Sequence, residues 1–140
     1  MNTKKFSILL AALMLIIVQL ACALGGEPTL SNSRTSFDQD GTQTSSTFGA
    51  FDTVYVVSDL SNGAAGNVIT SRWTAVNADG LDPNFFLDEA DITVSESDAP
   101  FNGTIYFFFP APSGGWPAGT YQVEILFNGV LSATVNFTVQ

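Results

Sequence analysis

Apolar and polar residues alternate most regularly at the C-terminal end of the chain. From Tyr121, the residues Tyr121, Val123, Ile125 and Phe127 fall on one face and Gln122 and Glu124 on the other. After Asn128-Gly129, the residues Leu131, Ala133, Val135, Phe137 and Val139 alternate with Ser132, Thr134, Asn136 and Thr138. A period of two marks half-buried strands, and Asn-Gly between two such runs is the sequence of a two-residue hairpin turn. Trp116 to Gln140 is therefore predicted to close a β domain as a hairpin.

Earlier strands carry the same signature. Asp52 to Leu60 is β-branched and aromatic, with Val54, Val56 and Leu60 on one face and Tyr55 and Val57 on the other. Ser61 to Gly66 reads as a turn. Asn67 to Asn77 follows, with Ile69, Trp73 and Ala75 inward and Thr70, Arg72 and Thr74 outward. Asn102-Gly103 opens Thr104 to Phe109, which is apolar on both faces: Ile105, Phe107 and Phe109 on one, Tyr106 and Phe108 on the other. Buried runs of this kind are common in sandwiches, so cover on both faces is the expectation. Exposure of Tyr106 and Phe108 would instead make an aromatic strip able to contact a partner. Ser31 to Phe37 and Thr42 to Phe48 are weak edge-strand patterns separated by the Asp38-Gln-Asp40-Gly41 turn. The core is expected around Trp73, Tyr121, Val123, Ile125, Phe127 and Phe137.

The first 26 residues follow another logic. Lys4 and Lys5 precede an apolar run from Phe6 to Leu20, which ends in small residues at Ala21, Cys22 and Ala23. A basic start, a short apolar stretch and a small-residue site make an export signal. The run is shorter than the roughly 20 apolar residues that span a bilayer. Leu20-Ala21-Cys22 resembles the bacterial lipoprotein box, although Gln19 stands where that pattern prefers an aliphatic residue. The resemblance implies that Cys22 is lipidated and anchors the chain to a membrane. Ordinary cleavage after Ala23 also fits, and would release the chain as a secreted protein. The polar stretch behind Cys22 suits an anchored domain, so lipidation is favoured. Residues 27–50 then read as a polar tether with edge strands, and 51–140 as one domain.

Charge narrows the partners. Of 140 residues only 12% are charged, and the formal net charge is −9. Removal of the signal takes both lysines and leaves Arg34 and Arg72 against 13 acids, a charge of −11. That balance repels phosphate backbones, so no nucleic-acid partner is expected. Seven acids fall in the segment Asp79 to Asp98, which reads as a solvated acidic loop region; whether it binds calcium stays open. Asp38, Asp40 and Gly41 lack the further ligands of a helix–loop–helix calcium site, and no metal is predicted.

The chemistry is sparse. There is no His, and Cys22 is the one Cys. Ser-His-Asp and Cys-His activation and the common zinc sites are thereby excluded, no cofactor is implied, and the chain is not expected to be an enzyme.

Trp73 on an early strand, together with Trp116-Pro-Ala-Gly-Thr-Tyr121 running into Phe137-Thr-Val139, resembles the immunoglobulin-like domains of bacterial envelope lipoproteins. In those domains a tyrosine near the start of a late strand forms a corner. The resemblance covers about residues 50 to 140. It implies an all-β, immunoglobulin-like antiparallel β-sandwich of seven to eight strands behind an N-terminal signal helix. It also implies an adhesion, scaffolding or accessory role. The expected function is an envelope-anchored interaction module for a protein or glycan partner. The alternative is a carbohydrate-binding accessory domain that stacks sugars on Trp116, Tyr106 and Phe108.

Overall fold

A computed structural model describes residues 26–140. The expected signal helix and Cys22 lie outside the described residues. Eight strands follow in order: β1 Thr29–Ser36, β2 Thr47–Phe48, β3 Val54–Gly63, β4 Val68–Ala78, β5 Phe85–Thr93, β6 Phe101–Phe109, β7 Gly119–Phe127 and β8 Val130–Val139. They form a three-stranded sheet, β1-β3-β6, facing a five-stranded sheet, β2-β8-β7-β4-β5. Neighbours pair antiparallel, except that β2 runs parallel to β8. The fold is an all-β sandwich, as the alternating pattern predicts, with the immunoglobulin-like architecture that the resemblance implies.

The closing hairpin forms as its turn residues dictate. Asn128 and Gly129 take φ of 49° and 81°, the positive pair that lets a two-residue turn follow the strand twist. Beyond the turn the pairing slips: Ile125 lies opposite Ala133, but Leu126 lies opposite Leu131. This bulge moves Leu131 off the inward row, and it is 53% exposed. Phe137 and Val139 keep to the row and are buried, Ala133 and Val135 are half-buried.

Residues 27–50 carry β1 and β2, each the last strand of its sheet, where the weak patterns predict edge strands. β1 pairs with β3 from Thr29↔Ser61 to Ser36↔Tyr55, and Phe48 on β2 is buried against Phe137 at 5.7 Å. The weak pattern of β1 reflects an edge strand held by polar contacts. Thr35 donates to the Ser45 carbonyl at 2.5 Å, and Ser36, fully buried, bonds the Gln43 carbonyl at 2.9 Å. One expectation needs correction, the reading of Asp79 to Asp98 as loop. The middle of that segment is β5, a continuous strand paired with β4, so Asp88, Glu89 and Asp91 belong to a strand and not to a loop.

The core lies between the sheets and is largely aromatic. Trp73, Tyr121, Val123, Ile125 and Phe137 are buried as expected, whereas Phe127, at the end of β7, is only half-buried. Tyr121 and Phe137 stack at 5.1 Å and 9°. Side chains of this size remove about 150–250 Å² each from water, the dominant favourable contribution to folding.

One corner fixes the approach of β7. The Tyr121 hydroxyl donates to the Pro117 carbonyl at 2.6 Å, the tyrosine corner of this fold class. Burial, with the Asp79 carboxylate adding to it, pushes that hydroxyl's pKa up. Gly119 precedes it at φ 152°, where a Cβ would stand 2.3 Å from the Asn77 carbonyl oxygen. Only glycine lets β7 start so close to the end of β4.

Candidate binding surface at the open edge of the sandwich

Three strands face five, and the two sheets do not end together. β6 is the last strand of the smaller sheet and β5 the last of the larger. Between them lies a groove of about 450 Å³, lined by Trp73, Asp88, Ile92, Ile105 and Phe107, with Tyr106 and Phe108 at its rim. Cross-strand partners share a face of a sheet. Ala90 lies opposite the fully buried Ser71, and Asp88 opposite Trp73, so Ala90 and Asp88 lie on the inner face of β5. Both are nevertheless exposed. The inner surface of β5 has no strand above it.

The outer face of the three-stranded sheet carries the second element. Tyr106 pairs across from Val57, and Phe108 from Tyr55. Tyr106 is 39% and Phe108 58% exposed, so cover on both faces of β6 is not what forms. The reason is topological, since nothing lies over the outer face of a two-layer sandwich at this point. Tyr55 joins them, 6.1 Å from Tyr106 and 5.9 Å from Phe108, with Tyr106 and Phe108 6.4 Å apart. The ring planes are inclined by 32° to 55°. These rings form a compact cluster and not a flat row.

Trp116 is absent from this surface. It is 3% exposed, its Nε1 donates to the Asp52 carbonyl at 2.9 Å, and its ring packs on Phe109 at 5.0 Å and Tyr121 at 5.3 Å. The Trp116 amide also reaches back, donating to the Ala50 carbonyl at 2.7 Å. The expectation that Trp116 contacts a ligand is therefore corrected. An indole whose N–H finds a buried acceptor gains more from the core than from water.

Tyr55 is the residue that sequence reasoning missed. Alternation already put it on the opposite face from Val54 and Val56, as it did Tyr106 and Phe108. The signal that unites them is the pairing of β3 with β6, which spans some fifty residues of chain and is not encoded locally.

The charged side chains of the two sheets fall in two groups. On the outer face of the larger sheet, Arg72 bonds Glu89 at 2.8 Å and Glu124 at 3.5 Å; both raise the guanidinium pKa, Glu89 the more. Asp91 accepts from the Thr70 hydroxyl at 2.6 Å. Neither Asp88 nor Asp91 has a basic partner among the described residues. At the polar end of the smaller sheet, the Asn32 amide and then the Arg34 guanidinium hold the Asp59 carboxyl below its usual range, against partial burial. Asp38 is spent on its own turn: it accepts from Ser36 and Thr42 hydroxyls and from the Thr42 and Gln43 amides. Those bonds, the Ser36 hydroxyl foremost, set its pKa far below the carboxylate range. Among the described residues no three acids converge in a way that could hold a metal ion.

Neither a protein-family model nor a curated protein matches the chain. Solved structures do share its fold. An immunoglobulin-like protein from Pseudomonas aeruginosa aligns over 83% of this chain and 98% of its own, at 10% identity and a TM-score of 0.54. The alkylpurine DNA glycosylase AlkC of Pseudomonas fluorescens aligns over 84% of this chain and 31% of its own, with 14% identity and a TM-score of 0.50. A β-glucosidase from Erythrobacter marinus aligns over 81% and 15%, at 11% identity and a TM-score of 0.51. This chain thus spans less than a third of either enzyme, and the likeness describes the fold alone.

Proposed function

We propose that the chain is a non-catalytic interaction module, held at the cell envelope through Cys22, whose contact surface is the Tyr55, Tyr106 and Phe108 cluster beside the open groove. The observation that carries this reading is the clustering of three partly or largely exposed aromatic rings on one sheet face next to an uncovered apolar groove. Tyrosine and phenylalanine are enriched at protein contact surfaces, because they bury much area at little conformational cost. Rings inclined to one another and packed about 6 Å apart suit a protein partner better than a row of sugar rings. A carbohydrate-binding role keeps one observation in its favour, the exposure of Tyr106 and Phe108, but it loses Trp116 as a platform. The lack of His and, after processing, of Lys supports a binding role over catalysis.

The test compares the wild-type chain with Tyr106→Ser/Phe108→Ser in capture of envelope proteins from native membranes, alongside a glycan array. A protein partner retained by the wild type and lost by the double variant is the expected result. Equal retention by both removes the aromatic face from the reading, and glycan binding lost in the double variant would favour the carbohydrate alternative. For the anchor, Cys22→Ser is expected to move the chain from the membrane to the soluble fraction; unchanged fractionation would overturn lipidation.

A further inference from the structure

We infer that the open edge takes up an extended peptide of alternating apolar and basic residues as an added strand beside β6. This rests on the reading of the aromatic face as a contact surface and names what that surface receives. The sandwich has the place for such a strand. A fourth strand next to β6 would lie over the inner face of β5, where Asp88 and Ala90 are exposed and Phe85, paired with the buried Ala75, is 45% exposed.

The two edges that flank the groove differ in how they are guarded. β5 carries Asp88, Glu89 and Asp91, and its pairing with β4 is irregular at Leu87, between Asp88 and Phe86. Charges and bulges are the usual means of keeping a sheet edge from pairing with another chain. β6 has neither in its free edge: from Phe101 to Phe109 it contains no charged residue and no proline. An unguarded edge of nine residues is a template for main-chain hydrogen bonds, with side-chain pockets adding selectivity.

Side-chain chemistry selects the peptide. Residues of the added strand would alternate between the groove and the outer face. Those facing the groove would meet Trp73, Ile105 and Phe107, which ask for an apolar side chain. Those facing outward would stand beside the exposed Tyr106 and Phe108, in the field of a chain that from residue 26 onward carries Arg34 and Arg72 against 13 acids. A lysine or arginine there answers that negative charge, and its cation can lie over the face of Tyr106 or Phe108. A second copy of this chain is the wrong occupant on charge, because it would bring another Asp88 and Asp91 and a large negative charge of its own.

The experiment uses the full chain in detergent micelles and three labelled nine-residue peptides. One alternates Val and Lys, one alternates Val and Glu, and one has the Val/Lys composition in two blocks. Fluorescence anisotropy is expected to show saturable binding of the alternating Val/Lys peptide, at least tenfold tighter than the other two. Hydrogen exchange is expected to slow at amides within Phe101–Phe109. Asp88→Lys/Asp91→Lys should weaken binding about tenfold, and Ala90→Trp, which fills the groove from an exposed position, should abolish it while thermal unfolding of both variants stays near wild type. Equal binding of the three peptides, protection at β1 instead of β6, or dimerisation of the chain through β6 would overturn the inference. If no peptide binds but partner capture still depends on Tyr106 and Phe108, strand addition falls and the interaction reading stands. If capture is also unaffected by the double variant, both fall.

Discussion

Two aromatic clusters of nearly equal geometry sit on opposite faces of β6. On its inner side Trp73, Phe109, Trp116, Tyr121 and Phe137 pack with centroids 5.0 to 6.2 Å apart. On its outer side Tyr55, Tyr106 and Phe108 pack 5.9 to 6.4 Å apart. Ring contacts alone do not separate them. What separates them is that the first cluster has a second sheet above it and the second has water. An aromatic run is thus core or exposed surface according to which side of the strand the other sheet lies on, and the same strand supplies both.

The comparison can be broken most directly by truncating one member of each cluster. Trp116→Ala removes a buried indole and its bond to the Asp52 carbonyl, and should destabilise the fold by about 3–5 kcal/mol. Phe108→Ala should change stability by no more than about 0.5 kcal/mol. Chemical denaturation of the two variants reads the difference; similar losses would mean that the outer cluster is also part of the core. Gly119→Ala tests how the inner cluster is positioned and not its area. A Cβ meeting the Asn77 carbonyl must push β7 off β4, at a cost of about 2 kcal/mol. A variant as stable as wild type would show that β7 can shift freely.

Smaller changes sharpen the picture. Tyr121→Phe keeps the ring stacked on Phe137 but deletes the hydroxyl that bonds the Pro117 carbonyl, and is expected to cost about 1 kcal/mol. A loss as large as that of Trp116→Ala would place the corner, and not the ring packing, at the centre of the inner cluster. Asp38→Asn, in the turn that follows β1, should act mainly through pH. The folded-state pKa of Asp38 is depressed, so its contribution is present above the ordinary carboxylate range and is lost as pH falls below that range towards the folded value. Thermal unfolding followed from pH 6 downward should fall less steeply in the Asn variant. Parallel curves would show that the turn gains nothing from the ionised side chain.

Much of this molecule was written locally in its sequence. Period-two alternation located β3, β4, β7 and β8, and Asn128-Gly129 announced the closing turn, because each depends on residues within a few positions of one another; the corner at Tyr121 was implied by the resemblance to immunoglobulin-like domains. The bulge that turns Leu131 outward escaped, since it arises from the match of two strands and not from either one. The acidic residues of β5 looked like loop because their charge hides the strand. That charge is tolerated because the strand is an edge with an uncovered inner face.

The exposed aromatic face was a matter for the tertiary structure alone. Sequence could put Tyr55, Tyr106 and Phe108 on outward faces of their strands, yet it could not say whether another layer would cover them, nor that β3 and β6 would bring them together. Trp116 shows the converse: in a loop rich in Pro and Gly it reads as exposed, and only the folded chain reveals the Asp52 carbonyl that draws it inward. Alternation is a property of neighbours in the chain; cover is a property of how many strands each sheet receives. Three strands over five leave one edge open, and the exposed aromatics and the groove follow from that count.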